Sequence, residues 1–204
     1  MFEDFKRFIV DDLSSSNGTN QIIFVLESPH TNELIHKHPI AGQAGERMSG
    51  LFEILGLLSS EDAQLPLGCQ IKRGVIENVA IINAAPIPLD KKIYCRETIN
   101  LELIESLSGL KQRLEKRTQA SYKPQGYIEQ NLLSDFYSRL NAMIKPSTNV
   151  IVPLGNFASN FVKALQPQSV KIVYGVNHPS ASTWKSENSL NSLRKAMACI
   201  QARS

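Results

Sequence analysis

Short apolar runs alternate with longer amphipathic stretches along this chain. Gln21–Leu26 (QIIFVL), Asn78–Asn83 (NVAIIN), Asn149–Leu154 (NVIVPL) and Val170–Val176 (VKIVYGV) are too short for helices and rich in β-branched residues. They predict four buried strands. Around them, apolar residues recur at helical spacing: Phe2, Phe5, Ile9 and Leu13; Met48, Leu51, Phe52, Leu55 and Leu58; Leu101, Ile104, Leu107 and Leu114. Residues 127–144, the set Ala158, Phe161, Val162 and Leu165, and the set Leu190, Leu193, Met197 and Ile200 continue the pattern. Each stretch predicts an amphipathic helix with one face on the core. Ser14–Asn20, Thr31–Gly45 and residues 59–74 read as loops. This alternation predicts an α/β fold, a three-layer α/β/α sandwich with a central, mostly parallel four-stranded sheet. No repeat, linker or low-complexity tract interrupts it, so residues 1–204 are expected to form a single domain.

The strands end abruptly on polar residues. The first runs into Glu27-Ser28-Pro29-His30, the second stops at Asn83, the third at Gly155-Asn156 and the fourth at Asn177-His178-Pro179-Ser180. Ligands of open parallel sheets bind outside the carboxyl ends of the strands. These four ends would therefore share one edge and build one crevice.

Composition narrows the picture. With 204 residues and 42% hydrophobic content the chain can bury a sizeable core. A net charge of +3 is mild, so nucleic-acid contact would need a local patch. The dense cationic run is Lys111, Arg113, Lys116, Arg117 and Lys123, read either as a solvated helix end or as a phosphate-contacting patch. Cys69, Cys95 and Cys199 form no CxxC pair and suggest neither a disulfide framework nor a zinc site. His30, His36 and His38 lack an accompanying cysteine or second carboxylate, so a solvated loop is favoured over a metal site. No run approaches the roughly 20 apolar residues of a membrane span, and the first residues do not resemble a signal peptide. The expectation is a soluble, cytoplasmic chain without cofactor, acting as a monomer.

The strand ends resemble the motifs of the uracil-DNA glycosylase superfamily, in order, from about residue 21 to residue 184. Leu26–His30 (LESPH) resembles GQDPY of its main branch and GEAPG of its iron–sulphur branch. Pro39–Gly45 (PIAGQAG) resembles PFVGRAG. Val79–Asn83 (VAIIN) resembles the strand that ends on the base-reading Asn. Leu154-Gly155 with Ala158 fits LGxxA, and His178-Pro179-Ser180 fits the start of HPSPLS. The cysteines of the iron–sulphur branch are missing, so no metal cluster is expected. The resemblance implies DNA as partner, with a pyrimidine nucleotide flipped from the duplex.

It also implies roles. His178 would donate a hydrogen bond to the base oxygen on which negative charge develops. Asn83 would read the Watson–Crick edge, in one amide orientation for uracil and in the other for cytosine. Pro29, Ser180 and Ser182 would position phosphates, Gly42 belongs to the second motif, and Trp184 is either a wedge beside the last motif or half-buried. Ser28 replaces the water-activating Asp of the main branch, and a hydroxyl is a poor general base; Glu27 is the nearest carboxylate and the candidate for orienting water. Ile40 replaces the aromatic residue that stacks on the base, and His30 replaces the Tyr that blocks bulky 5-substituents. The implied pocket is less aromatic and roomier. The expected activity is monofunctional removal of a damaged or modified pyrimidine, uracil-like or 5-substituted, including the enlarged cytosines of modified phage genomes. A non-catalytic nucleic-acid-binding relative is the competing expectation. A serine hydrolase using Ser28 with His30 or His178 lacks the GxSxG elbow.

Overall fold

A computed structural model describes residues 2–95, 99–116, 122–167 and 170–201. Its four strands are β1 (Ile22–Leu26), β2 (Val79–Asn83), β3 (Val150–Pro153) and β4 (Lys171–Ile172), all parallel, in the order β2-β1-β3-β4. The register sets Leu26 beside Asn83 and Val25 beside Pro153. The helices are α1 (Thr31–His36), α2 (Gln43–Ile54), α3 (Leu67–Lys72), α4 (Leu101–Glu115), α5 (Gly126–Met143), α6 (Gly155–Leu165) and α7 (Glu187–Gln201).

Strand side chains alternate between two apolar clusters, which makes the sandwich three layers deep. Ile23, Val25, Ala80, Ile82 and Ile151 pack with Leu107, Leu110, Phe136 and Phe161 of α4, α5 and α6. Ile22, Phe24, Leu26, Ile81 and Val152 face the opposite way, onto Met48, Leu51, Phe52, Ile71 and Leu193 of α2, α3 and α7. Both sheet faces are covered, which is why the strands are continuously apolar rather than alternating. From β1 the chain moves to one neighbour, β2, and then returns past β1 to β3. The crevice between the ends of β1 and β3 is therefore the point where the winding reverses. Among the described residues no helix is long and apolar enough to cross a membrane.

Four local expectations are corrected. Residues 2–13 do not form an amphipathic α-helix: Phe2–Phe8 is a 3-10 helix that buries Phe5 and Phe8 at the threefold spacing of that tighter coil. The chain then runs extended, and Leu13 exchanges backbone hydrogen bonds with Ile81 at 2.9 and 2.7 Å. The expected loops Thr31–Gly45 and 59–74 hold α1 and α3, helices of six residues and too brief to show a period. The fourth strand pairs over two residues only. Gly175, at φ +87°, turns it out of the ladder, and one bridge from Val176 to Leu154 brings it back.

Candidate active site

A cavity of about 740 Å³ opens at the carboxyl ends of the strands. It gathers Glu27, Ser28, Pro29, His30, Ile40, Gly42, Asn83, Lys111, His178 and Ser180 from five separate segments. Its volume lies in the ordinary range for small-molecule sites.

Alternation along β1 and β2 divides the cavity into two sides. Leu26 and Asn83 follow the parity of the α2 layer, and Glu27 follows the parity of α4. Asn83 is 1% exposed, and neither its side-chain oxygen nor its nitrogen has a hydrogen-bond partner in the protein. Leaving such an amide unpaired costs about 1–3 kcal/mol per group. Its backbone is fixed instead: Arg139 of α5 donates from Nη2 to the Asn83 carbonyl at 3.0 Å and the Ala84 carbonyl at 3.3 Å. The same guanidinium reaches Asp12 at 2.8 Å and Asp135 at 2.6 Å. Burial raises the Asp12 carboxyl to about 6, with Arg139 opposing the rise.

His178 leaves the β4 segment immediately after the Val176 bridge. The backbone N–H of Ser180 donates to its Nδ1 at 3.2 Å, and the Ser180 hydroxyl lies 2.7 Å from the same nitrogen. Nδ1 is thus the acceptor, which assigns the proton of the neutral ring to Nε2. Burial, and next the Lys111 charge, lower the imidazole from 6.5 to about 4, against an opposing Glu115. At neutral pH His178 is an uncharged donor.

Glu27 is not alone. Lys111 Nζ lies 2.8 Å from its Oε1 and 3.9 Å from Glu115 Oε1. Lys111 and Glu115 stand one turn apart on α4, so both face the same end of the sheet. Burial by itself would lower the Lys111 ammonium; the charges of Glu27 and Glu115 outweigh it and hold it above its ordinary value. Glu115 is shifted upward, by burial and then by the neighbouring Glu27 charge. Asn156 and Asn160 of α6 donate to the last carbonyls of α4, Glu115 O at 2.7 Å and Leu114 O at 3.1 Å. These are orphan groups at a helix end.

The opposite wall is tied by Glu33. Its carboxylate accepts the backbone N–H of His30 at 2.8 Å and that of Ile40. Ile40 is 1% exposed and sits at φ +46°, a left-handed conformation that a β-branched residue rarely adopts. The Glu33 acceptor and the close approach of Gly45 to the Ile40 carbonyl hold it there. Burial lifts Glu33 from 4.5 to about 7. At the start of α6, Gly155 has φ +85°, and a Cβ there would stand 3.1 Å from His178 Cβ.

Other sequence expectations fall outside this cavity. Arg113 does not face it but pairs with Glu129 of α5, whose carboxylate also accepts from Tyr122 at 2.7 Å. Lys116 and Ser182 are exposed and do not line it, and Arg117 lies outside the described residues. Trp184 is neither a surface wedge nor half-buried: it is 2% exposed within the α2–α7 cluster. Lys111 contacts Glu27 instead of joining an outward cationic run. His38 is buried, not solvated, with Nδ1 3.0 Å from the Pro39 carbonyl. Sequence reasoning missed Glu33, Glu115 and Arg139. The i,i+4 pairing of Glu115 with Lys111 was the one readable signal.

No protein-family model matches this sequence, and no curated protein matches it.

Proposed function

We propose that the protein is a monofunctional DNA glycosylase, acting in the cytoplasm on a damaged or modified pyrimidine. One observation carries this reading: a buried Asn83 amide with both of its polar atoms unpartnered shares a cavity with a neutral His178. An adjacent donor and acceptor match the edge of a pyrimidine, and a neutral imidazole N–H suits an oxygen that becomes anionic.

The reaction needs little more from the protein. As the C1′–N bond breaks, its electron pair leaves with the base, and His178 Nε2–H stabilises the charge that collects there. Lys111, close enough to shift His178, adds a positive field on the same side. Water adds to C1′ of the cationic sugar, oriented by Glu27, and its proton passes through Glu27 to solvent. The released base is protonated from solvent. Glycosidic bonds generally break through such a cationic sugar beside a carboxylate.

Ile40 gives the base an apolar wall without a ring, and His30 places an exposed imidazole at the rim. That combination favours a pyrimidine with a bulky polar 5-substituent over plain uracil. The test is a screen of duplexes carrying uracil, thymine mismatches or hypermodified cytosines for alkali-labile sites. Cleavage at a 5-substituted pyrimidine is expected, and replacing Ile40 by Phe with His30 by Tyr should shift preference toward uracil. Specific binding without strand scission would instead support a non-catalytic relative, a reading favoured by the loss of the motif Asp at Ser28.

A further inference from the structure

We propose that Glu115 is a positioning residue that holds a proton in the DNA-bound site, donating a hydrogen bond to Glu27 so that Glu27 remains the anion paired with Lys111. The inference rests on the glycosylase reading and names a proton that DNA binding would take up.

Three structural facts lead to it. The Lys111 ammonium is committed to Glu27, at 2.8 Å against 3.9 Å to Glu115. Glu27 and Glu115 converge on that one ammonium, and two carboxyls so placed can share a hydrogen bond only when one of them carries a proton. Glu115 is the last residue of a 15-residue helix, where the negative end of the macrodipole opposes a second anion. Glu115 is accordingly the carboxyl that protonates, and its upward shift agrees.

The groups around it are Glu27 from the first strand end, Lys111 on its own helix and His178 from the fourth strand segment, with Asp90 acting on Lys111 across the cavity. His178 is neutral and α6 presents only the uncharged Asn156, so neither supplies a cation to hold Glu115 ionised. The Glu115 side chain is 48% exposed in the free protein. A DNA backbone laid over the mouth removes that water and brings phosphates close, and both changes favour the neutral acid. Glu27 then keeps its charge, its orientation and a free lone pair for water.

Calorimetry tests this with duplexes carrying a single 2′-fluoroarabino-uridine or 2′-fluoroarabino-5-hydroxymethylcytidine, whose electron-withdrawing fluorine resists cleavage. Titrations in two buffers of different ionisation enthalpy count the protons. The full-length protein is expected to take up close to one proton on binding, its affinity falling by up to about tenfold per pH unit on the alkaline side. Glu115→Gln, which keeps a donor but cannot ionise, is expected to take up none and to lose that slope. Glu115→Ala, lacking the donor, is expected to cleave about tenfold more slowly than wild type at pH 7, an effect of the size of one misplaced hydrogen bond. Binding without proton uptake, or an unaltered slope in Glu115→Gln, overturns the inference while leaving the glycosylase reading intact. No preference for either modified duplex over an unmodified one overturns that reading and the inference with it.

Discussion

Arg139 donates to the backbone carbonyl of Asn83 from the far side of the sheet, and it is itself held by Asp12 and Asp135. The end of β2 therefore hangs on a half-buried ion cluster. Arg139→Met should cost about 2 kcal/mol, because it strips the partners from two half-buried carboxylates and from the Asn83 carbonyl. Asp12→Asn in the same chain should recover part of that loss. Denaturant midpoints of the single and double variants check both statements.

His178 should dominate the chemistry. Removing a preorganised donor to a developing anion lowers turnover by about 10²–10³-fold, and His178→Ala is expected to fall in that range. The ring should titrate near 4 rather than 6.5, as read from its carbon-bound protons by NMR. Because the folded value is depressed, this group adds stability above 6.5 and loses it as pH falls toward 4.

Asn83 makes a contrasting case. Its amide has no partner to lose, so Asn83→Ala is expected to leave the thermal midpoint unchanged or slightly raised while abolishing excision. A large drop in stability would show that the amide serves the fold. Residues that weaken the fold they sit in are the ones for which a ligand must account.

Glu33 sets a pH dependence of opposite sign to that of His178. Its carboxyl is raised to about 7 in the folded protein, so the native state holds that proton more tightly than the unfolded chain. Stability is then greatest below about 4.5 and falls as pH rises through 7, by roughly 3 kcal/mol for a shift of this size. Glu33→Gln should flatten this part of the curve of denaturation midpoint against pH. It should also loosen Ile40, since an amide has one acceptor where the carboxylate has two. A wild-type midpoint that rises steadily from pH 4.5 to 7.5 would show that Glu33 does not titrate in this range.

The sheet and its polar edge were legible because burial on both faces leaves a simple mark: VAIIN and NVIVPL tolerate no polar residue until the strand ends. Asn83 and Glu27 were readable for the same reason, each being the first polar side chain after an apolar run, and His178 follows directly on Asn177, the polar end of the fourth. Glu115 was not, since a charged residue in a basic helix end looks solvated until the partner strand is in place. Arg139 sits on the polar side of an amphipathic pattern, and only tertiary pairing with Asp12 draws it half out of solvent. Helix α1 escaped notice because six residues do not complete two turns. The N-terminal segment misled because the spacings of a 3-10 coil and an α-helix differ by little over one turn.

Gly155 places a boundary on how this cavity can be redesigned. A methyl group there would press on the Cβ of His178 from 3.1 Å, and the backbone at φ +85° would resist it as well. The first turn of α6 and the imidazole thus behave as one rigid part, machined to a shared tolerance. Libraries meant to reshape the cavity gain their freedom at Ile40 and His30, on the wall governed by Glu33. Variation at 155 would move the donor before it changed the shape of the pocket.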